Sequence, residues 1–210
     1  MVLGSAQTFS MGHRIRVGVF AGVLVAGLLA GAGAGAAQAQ SPAKKVTKCE
    51  LGGKCKVGDR GPGGGVVFLL PSSKGNPTGK YFEAAPAGWS AGDNPEEVWC
   101  NDSELFVAGT KTPIGAGAAN TALMIASCSS GAGNAAHAYA GGGKTDWFLP
   151  SKDELNALYK RRAKVGGFGD LYWSSSQYHA SSARDQHFTN GYQHHHPKLN
   201  AVGVRPVRAF

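Results

Sequence analysis

The segment Asp-Trp-Phe-Leu-Pro-Ser-Lys-Asp-Glu-Leu at residues 146–155 constrains the fold of this chain more than any other. Pro150 holds Leu149 extended, because its ring clashes with a helical residue before it. Ser151 is then placed as a helix N-cap, its side-chain oxygen accepting from the amide of Glu154. Glu154 is placed to reach back to the Ser151 amide, which completes a capping box. Leu155, Leu158 and Tyr159 follow at helical spacing and share one face. Lys160, Arg161 and Arg162 fall in the last turn, where cations offset the negative end of the dipole, and Gly166-Gly167 stop the helix.

The remaining pattern is short and broken. A glycine-rich turn over 56–65 leads into Val66-Val67-Phe68-Leu69-Leu70, which predicts a buried strand. Residues 81–85 predict a second strand, paired with the first as a hairpin. Trp89 and Trp99 are candidate core anchors in an irregular stretch. Helices are predicted over 120–128 and 134–140. Strands are predicted over 171–174, at His187-Phe188 and over 202–210. In the last of these, Arg205 and Arg208 are expected to find acceptors or solvent. With 32 glycines in the chain and no strand–helix alternation, a doubly wound sheet is excluded. The expected fold class is a loop-rich α+β domain with short antiparallel strands and two or three helices.

Residues 1–39 read as a secretory signal. His13, Arg14 and Arg16 form the basic region, an apolar run follows from Val17 to Leu29, and Ala37-Gln38-Ala39 supplies a small-x-small cleavage site. An uncleaved anchor is the alternative. No cysteine follows the apolar run to carry a lipid, and no later stretch is apolar enough to span a bilayer. Cleavage after Ala39 leaves 171 residues with 19 basic and 13 acidic side chains, a net charge of +6. That excess favours anionic partners weakly. The expected layout is a signal over 1–39, a flexible lead-in over 40–55 and one domain over 56–210, located outside the cell, in the periplasm or at the cell surface. The four cysteines all follow the signal, so an oxidising compartment makes two disulfides the expectation, Cys49–Cys55 and Cys100–Cys128. Zinc is the alternative, but no Cys-x-x-Cys spacing is present.

Few residues point to chemistry. The glycine run precedes a strand and lacks a following Lys-Ser/Thr, so it reads as a turn and not as a phosphate loop. His194-His195-His196 reads as a solvated loop able to present two imidazoles to zinc or nickel. Ser174, Ser175 and Ser176, with His179 or His187 as base, are the candidate set for a secreted hydrolase. Asp93, Glu96 and Glu97 match no calcium-loop spacing. Lys160, Arg161, Arg162 and Lys164 form the one dense basic run and are the candidate ligand-binding residues, with a solvated helix end as the alternative. Lys198, Arg205 and Arg208 can add to that field if the fold brings them near. No cofactor, resident metal or nucleic-acid partner is expected.

Several ordered segments resemble the Lcl C-terminal domain family, which is found in bacterial surface and secreted proteins. They are residues 57–68, 83–86, 114–121, 146–155, 172–176 and 204–208, and they span almost the whole mature chain. The Leu-Pro-Ser-x-x-Glu-Leu helix start and the terminal Val-Arg-x-Val-Arg strand are also similar to parts of C-type-lectin-like folds, including the formylglycine-generating enzymes. The resemblance implies a C-type-lectin-like scaffold. It does not imply copper chemistry, since no cysteine follows Cys128, nor calcium-dependent sugar binding, since Glu-Pro-Asn and Trp-Asn-Asp are missing. The function expected is a non-catalytic binding module of the cell envelope or surface, recognising an acidic polysaccharide or another envelope polyanion. The secreted hydrolase is the alternative.

Overall fold

The computed structural model describes residues 45–92 and 94–210. The signal sequence expected over 1–39 lies outside them. The chain is an α+β domain with two sheets. Strands β1 (Val66–Leu69), β2 (Phe82–Ala84) and β8 (Val207–Ala209) form a three-stranded antiparallel sheet in the order β1-β2-β8. Strands β3 (Glu96–Glu97), β4 (Leu171–His179), β5 (Ser182–His187), β6 (Gln193–Pro197) and β7 (Val202–Gly203) form a mixed sheet in the order β3-β7-β4-β5-β6, with β4 and β7 parallel. The helices are α1 (Gly117–Ser127), α2 (Ala132–Ala138), α3 (Lys152–Lys160) and α4 (Arg162–Val165).

Successive extended residues point to opposite sides, and this divides the core. Leu149 and Trp173 join one cluster with Trp99, Met124 and Val204, while their neighbours Phe148 and Tyr172 join a second with Phe68, Phe82, Leu155, Leu158 and Phe188. The disulfides close where the spacing predicts, with Cα atoms 4.8 Å apart for Cys49–Cys55 and 5.4 Å apart for Cys100–Cys128. Cys49 and Cys55 are themselves buried, packed with Val67.

Four expectations need correction. The helix that begins at Ser151 does not run unbroken to the glycines: Arg161 (φ −112°, ψ 8°) interrupts it, and α4 is a separate turn. With α4 counted, the described residues hold four helices, one more than the upper expectation. Residues 194–196 lie in β6 and not in a loop, because they pair in register with residues 183–185 of β5. The terminal strand is two strands in different sheets, and the chain crosses between them at Arg205-Pro206, where proline offers no N–H to continue a ladder.

The glycine run has a specific use. Gly63 and Gly65 each donate a backbone N–H to the buried carboxylate of Glu83, both at 2.9 Å. A Cβ at Gly65 would sit 2.5 Å from the Ala84 carbonyl oxygen. Arg208 completes the cradle with a 2.9 Å ion pair to Glu83 and a second bond to Asp146.

Candidate functional site

Glu154 anchors the element that carries the basic run. It accepts from the Ser151 amide at 2.7 Å, and the Ser151 side chain accepts from the Glu154 amide at 3.3 Å. Its other oxygen takes the amides of Gly115 (2.7 Å) and Gly117 (3.4 Å), at the start of α1, whose own N-cap supplies no side chain. One carboxylate therefore satisfies orphan donors of two helices. Burial pushes the Glu154 carboxyl up, against the pull of those backbone bonds.

Held in this way, the last turn of α3 projects beside β1. Lys160 and Arg161 line a groove of about 460 Å³ together with Lys74, Asn156, Phe68 and Leu69. Its floor is apolar and its rim is polar, the composition of small-ligand sites in general. Asp153 also lines this groove but is paired with Lys152 at 3.4 Å. Among the described residues, Lys74, Lys160, Arg161 and Lys164 form no ion pair. The structure thus brings Lys160 and Arg161 together and adds Lys74, which sequence reasoning missed. It does not bring in the other two candidates. Arg162 lies over the Tyr159 ring and lines a second groove of about 450 Å³ with Phe168 and Phe188. Lys164 is exposed and lines neither groove.

Lys198, Arg205 and Arg208 do not add to this field. The Lys198 ammonium is buried, donates to the Leu105 carbonyl (2.5 Å) and to Gln177 Oε1 (2.7 Å), and lies 4.7 Å from the Trp99 ring centroid. Burial pushes it down to about 8, with Asp102 and Glu104 pulling the other way. Arg205 is fully buried and donates to Asn94 Oδ1 and to the Gly166 and Gly167 carbonyls, where it closes the end of α4. Burial lowers its guanidinium to about 10. Burial also works against the Arg208 charge, but Asp146 and Glu83 more than offset it and hold its pKa above the ordinary value.

The candidate hydrolase residues are not assembled. Ser174, Ser175 and Ser176 are buried. Ser174 donates to the Arg184 carbonyl and Ser176 to the Lys111 carbonyl, and Ser175 accepts from Asn120. His187 bonds Asp170 at 3.3 Å, and His179 packs on Tyr178. Among the described residues, no three His, Cys, Asp or Glu side chains are grouped to hold a metal ion. Glu96 and Glu97 form β3, and Asp93 lies outside the described residues.

No protein-family model matches the chain, and no curated protein is significantly similar to it. The two disulfides fit an oxidising compartment. No helix among the described residues is long and apolar enough to cross a membrane.

Proposed function

We propose that this protein is an exported, non-catalytic binding module of the bacterial cell envelope or surface, and that it holds an acidic polysaccharide or another polyanion in the groove between α3 and the 73–75 turn. The observation that carries this reading is the arrangement of Lys74, Lys160 and Arg161, three cations without a carboxylate partner, around a floor that includes the half-buried apolar Ile114 and Ala157. Unpaired cations at a concave rim attract extended anions, and the apolar floor gives sugar rings a surface to cover. The disulfides support export. The reading takes the scaffold as C-type-lectin-like and related to the Lcl C-terminal domain. The antiparallel pairing of β8 with β2, extended by the mutual backbone bonds of Tyr81 and Phe210 at 3.0 Å each way, supports it by joining the late strand to the first hairpin. Retention of the wild-type domain on a heparin column at physiological salt, and its loss in a Lys74→Ser, Lys160→Ser, Arg161→Ser variant with unchanged circular dichroism, is the expected result. Equal retention of both proteins would refute the groove.

A further inference from the structure

The opposite end of the five-stranded sheet carries a second concentration of rings. β6 is the last strand, paired only with β5. Along it and the β4–β5 hairpin runs a chain of ring contacts: His179 to Tyr178 at 4.2 Å between centroids, Tyr178 to His195 at 4.0 Å, His195 to His194 at 4.6 Å, and His194 to Tyr192 at 5.5 Å. Two of these rings are exposed large side chains, Tyr192 at 60% and Tyr178 at 38%. The Arg184 guanidinium lies 4.6 Å from the Tyr178 centroid. The buried Nδ1 of His195 has no hydrogen-bond partner.

The charges around this ladder are unbalanced once its imidazoles protonate. Five of the chain's seven histidines, at 179, 187, 194, 195 and 196, lie on these strands. Two acids face them, Asp185 and Asp170. Asp185, buried on β5, bonds His196, while Asp170 accepts from Thr189 at 2.9 Å and pairs with His187 at 3.3 Å. On α3, Asp153 is paired with Lys152, and Lys198 at the far end of β6 is turned inward. On protonation His179, His194 and His195 carry positive charge beside Arg184, offset in part by the Asp185 carboxylate, whose Oδ1 has no hydrogen-bond partner. Burial and the neighbouring His194 hold the His195 imidazole below its usual range, against the pull of Asp185.

We propose that this ladder is a second binding face, which takes up an acidic polysaccharide strand on mild acidification. Each ring has a neighbour against it, stacked in two of the four contacts and tilted in the other two, so edges are offered: imidazole N–H and tyrosine O–H donors suited to carboxylate or sulfate oxygens. Nucleobases would instead require open ring faces. The inference shares its ligand class with the proposed function but uses different residues, so the two fail separately.

The test measures binding of the exported domain to a heparin octasaccharide at about pH 7.5 and about pH 5.5, at fixed ionic strength. The wild type gains roughly tenfold in affinity at the lower pH. A His179→Asn, His194→Asn, His195→Asn variant loses that gain and keeps its affinity at the higher pH. The Lys74, Lys160 and Arg161 variant loses affinity at the higher pH and keeps the gain. If the histidine variant does not fold, wild-type imidazole proton resonances titrated with the octasaccharide give the readout instead: His194 and His195 shift at the lower pH. An undiminished gain in the folded histidine variant, unmoved His194 and His195 resonances, or an equal gain for a single-stranded oligonucleotide would overturn the proposal.

Discussion

The guanidinium of Arg162 lies 4.1 Å from the centroid of the Tyr159 ring and donates to the Tyr159 carbonyl at 3.2 Å. This contact splits the basic run. Arg162, at the start of α4, is drawn back over the last turn of α3, while Lys160 and Arg161 stay exposed at the groove beside Lys74. Four cations within five residues thus serve different places, with Lys160 lining both grooves, and the first groove is charged by two of them and one distant lysine.

The capping box gives a stability prediction. Ser151 is fully buried, accepts from the Glu154 amide and donates to the Pro113 carbonyl at 2.9 Å. Ser151→Ala should destabilise the domain by about 1–2 kcal/mol, the usual range for a lost N-cap. An unchanged urea midpoint with an unchanged slope would contradict the role assigned to Ser151.

Much of this helix start was legible because caps are local: Pro150, Ser151 and Glu154 lie within five residues. That two disulfides form was legible from the even cysteine number and the expected export, and the preferred pairing is the one the structure holds. The use of Glu83 was not, because its partners Gly63, Gly65 and Arg208 meet only when the sheet closes. The same holds for Lys74, a lone lysine in a turn until α3 packs beside it. Residues 194–196 read as loop because three histidines carry no strand pattern, and β6 forms through its register with β5. Arg205 and Arg208 read as strand-edge charges, yet their burial depends on carbonyls and carboxylates far away in sequence.

Breaking the Glu83 cradle should be costly. Arg208→Met leaves a buried carboxylate held only by the Gly63 and Gly65 amides. Removal of one partner from a buried ion pair typically costs about 3–5 kcal/mol. Guanidinium denaturation giving a loss below about 1 kcal/mol would show that Glu83 is neutralised or solvated in the variant.

The Cys100–Cys128 bond closes a loop across a sequence separation of 28 and joins the Trp99 region to the end of α1. The chain-entropy relation gives about 3–4 kcal/mol for such a loop. Peptide mapping without reductant should recover the two cysteines linked, and Cys100→Ala with Cys128→Ala should lower stability by about that amount. Recovery of either thiol free from the protein purified without reductant would contradict the pairing.

Lys198 gives a pH dependence with a defined sign. Its amine is lowered from 10.5 to about 8 by burial. Below about 8 both the folded and the unfolded chain hold the proton. Between about 8 and 10.5 the folded chain releases a proton that the unfolded chain keeps, so stability rises with pH across this window. Urea midpoints measured across it should climb more steeply for wild type than for Lys198→Met. Parallel curves would show that the ammonium is held charged by the Leu105 carbonyl and Gln177.

Lys74, Lys160 and Arg161 are proposed to hold a polyanion together. The most direct measurement is the dissociation constant of a heparin octasaccharide between about 0.05 M and 0.5 M salt at neutral pH, where exposed charges are progressively screened. Affinity should fall steeply with salt for wild type, fall much less for the Lys74→Ser, Lys160→Ser, Arg161→Ser variant, and keep the wild-type slope for Lys164→Ser. Equal slopes for wild type and the triple variant would contradict it.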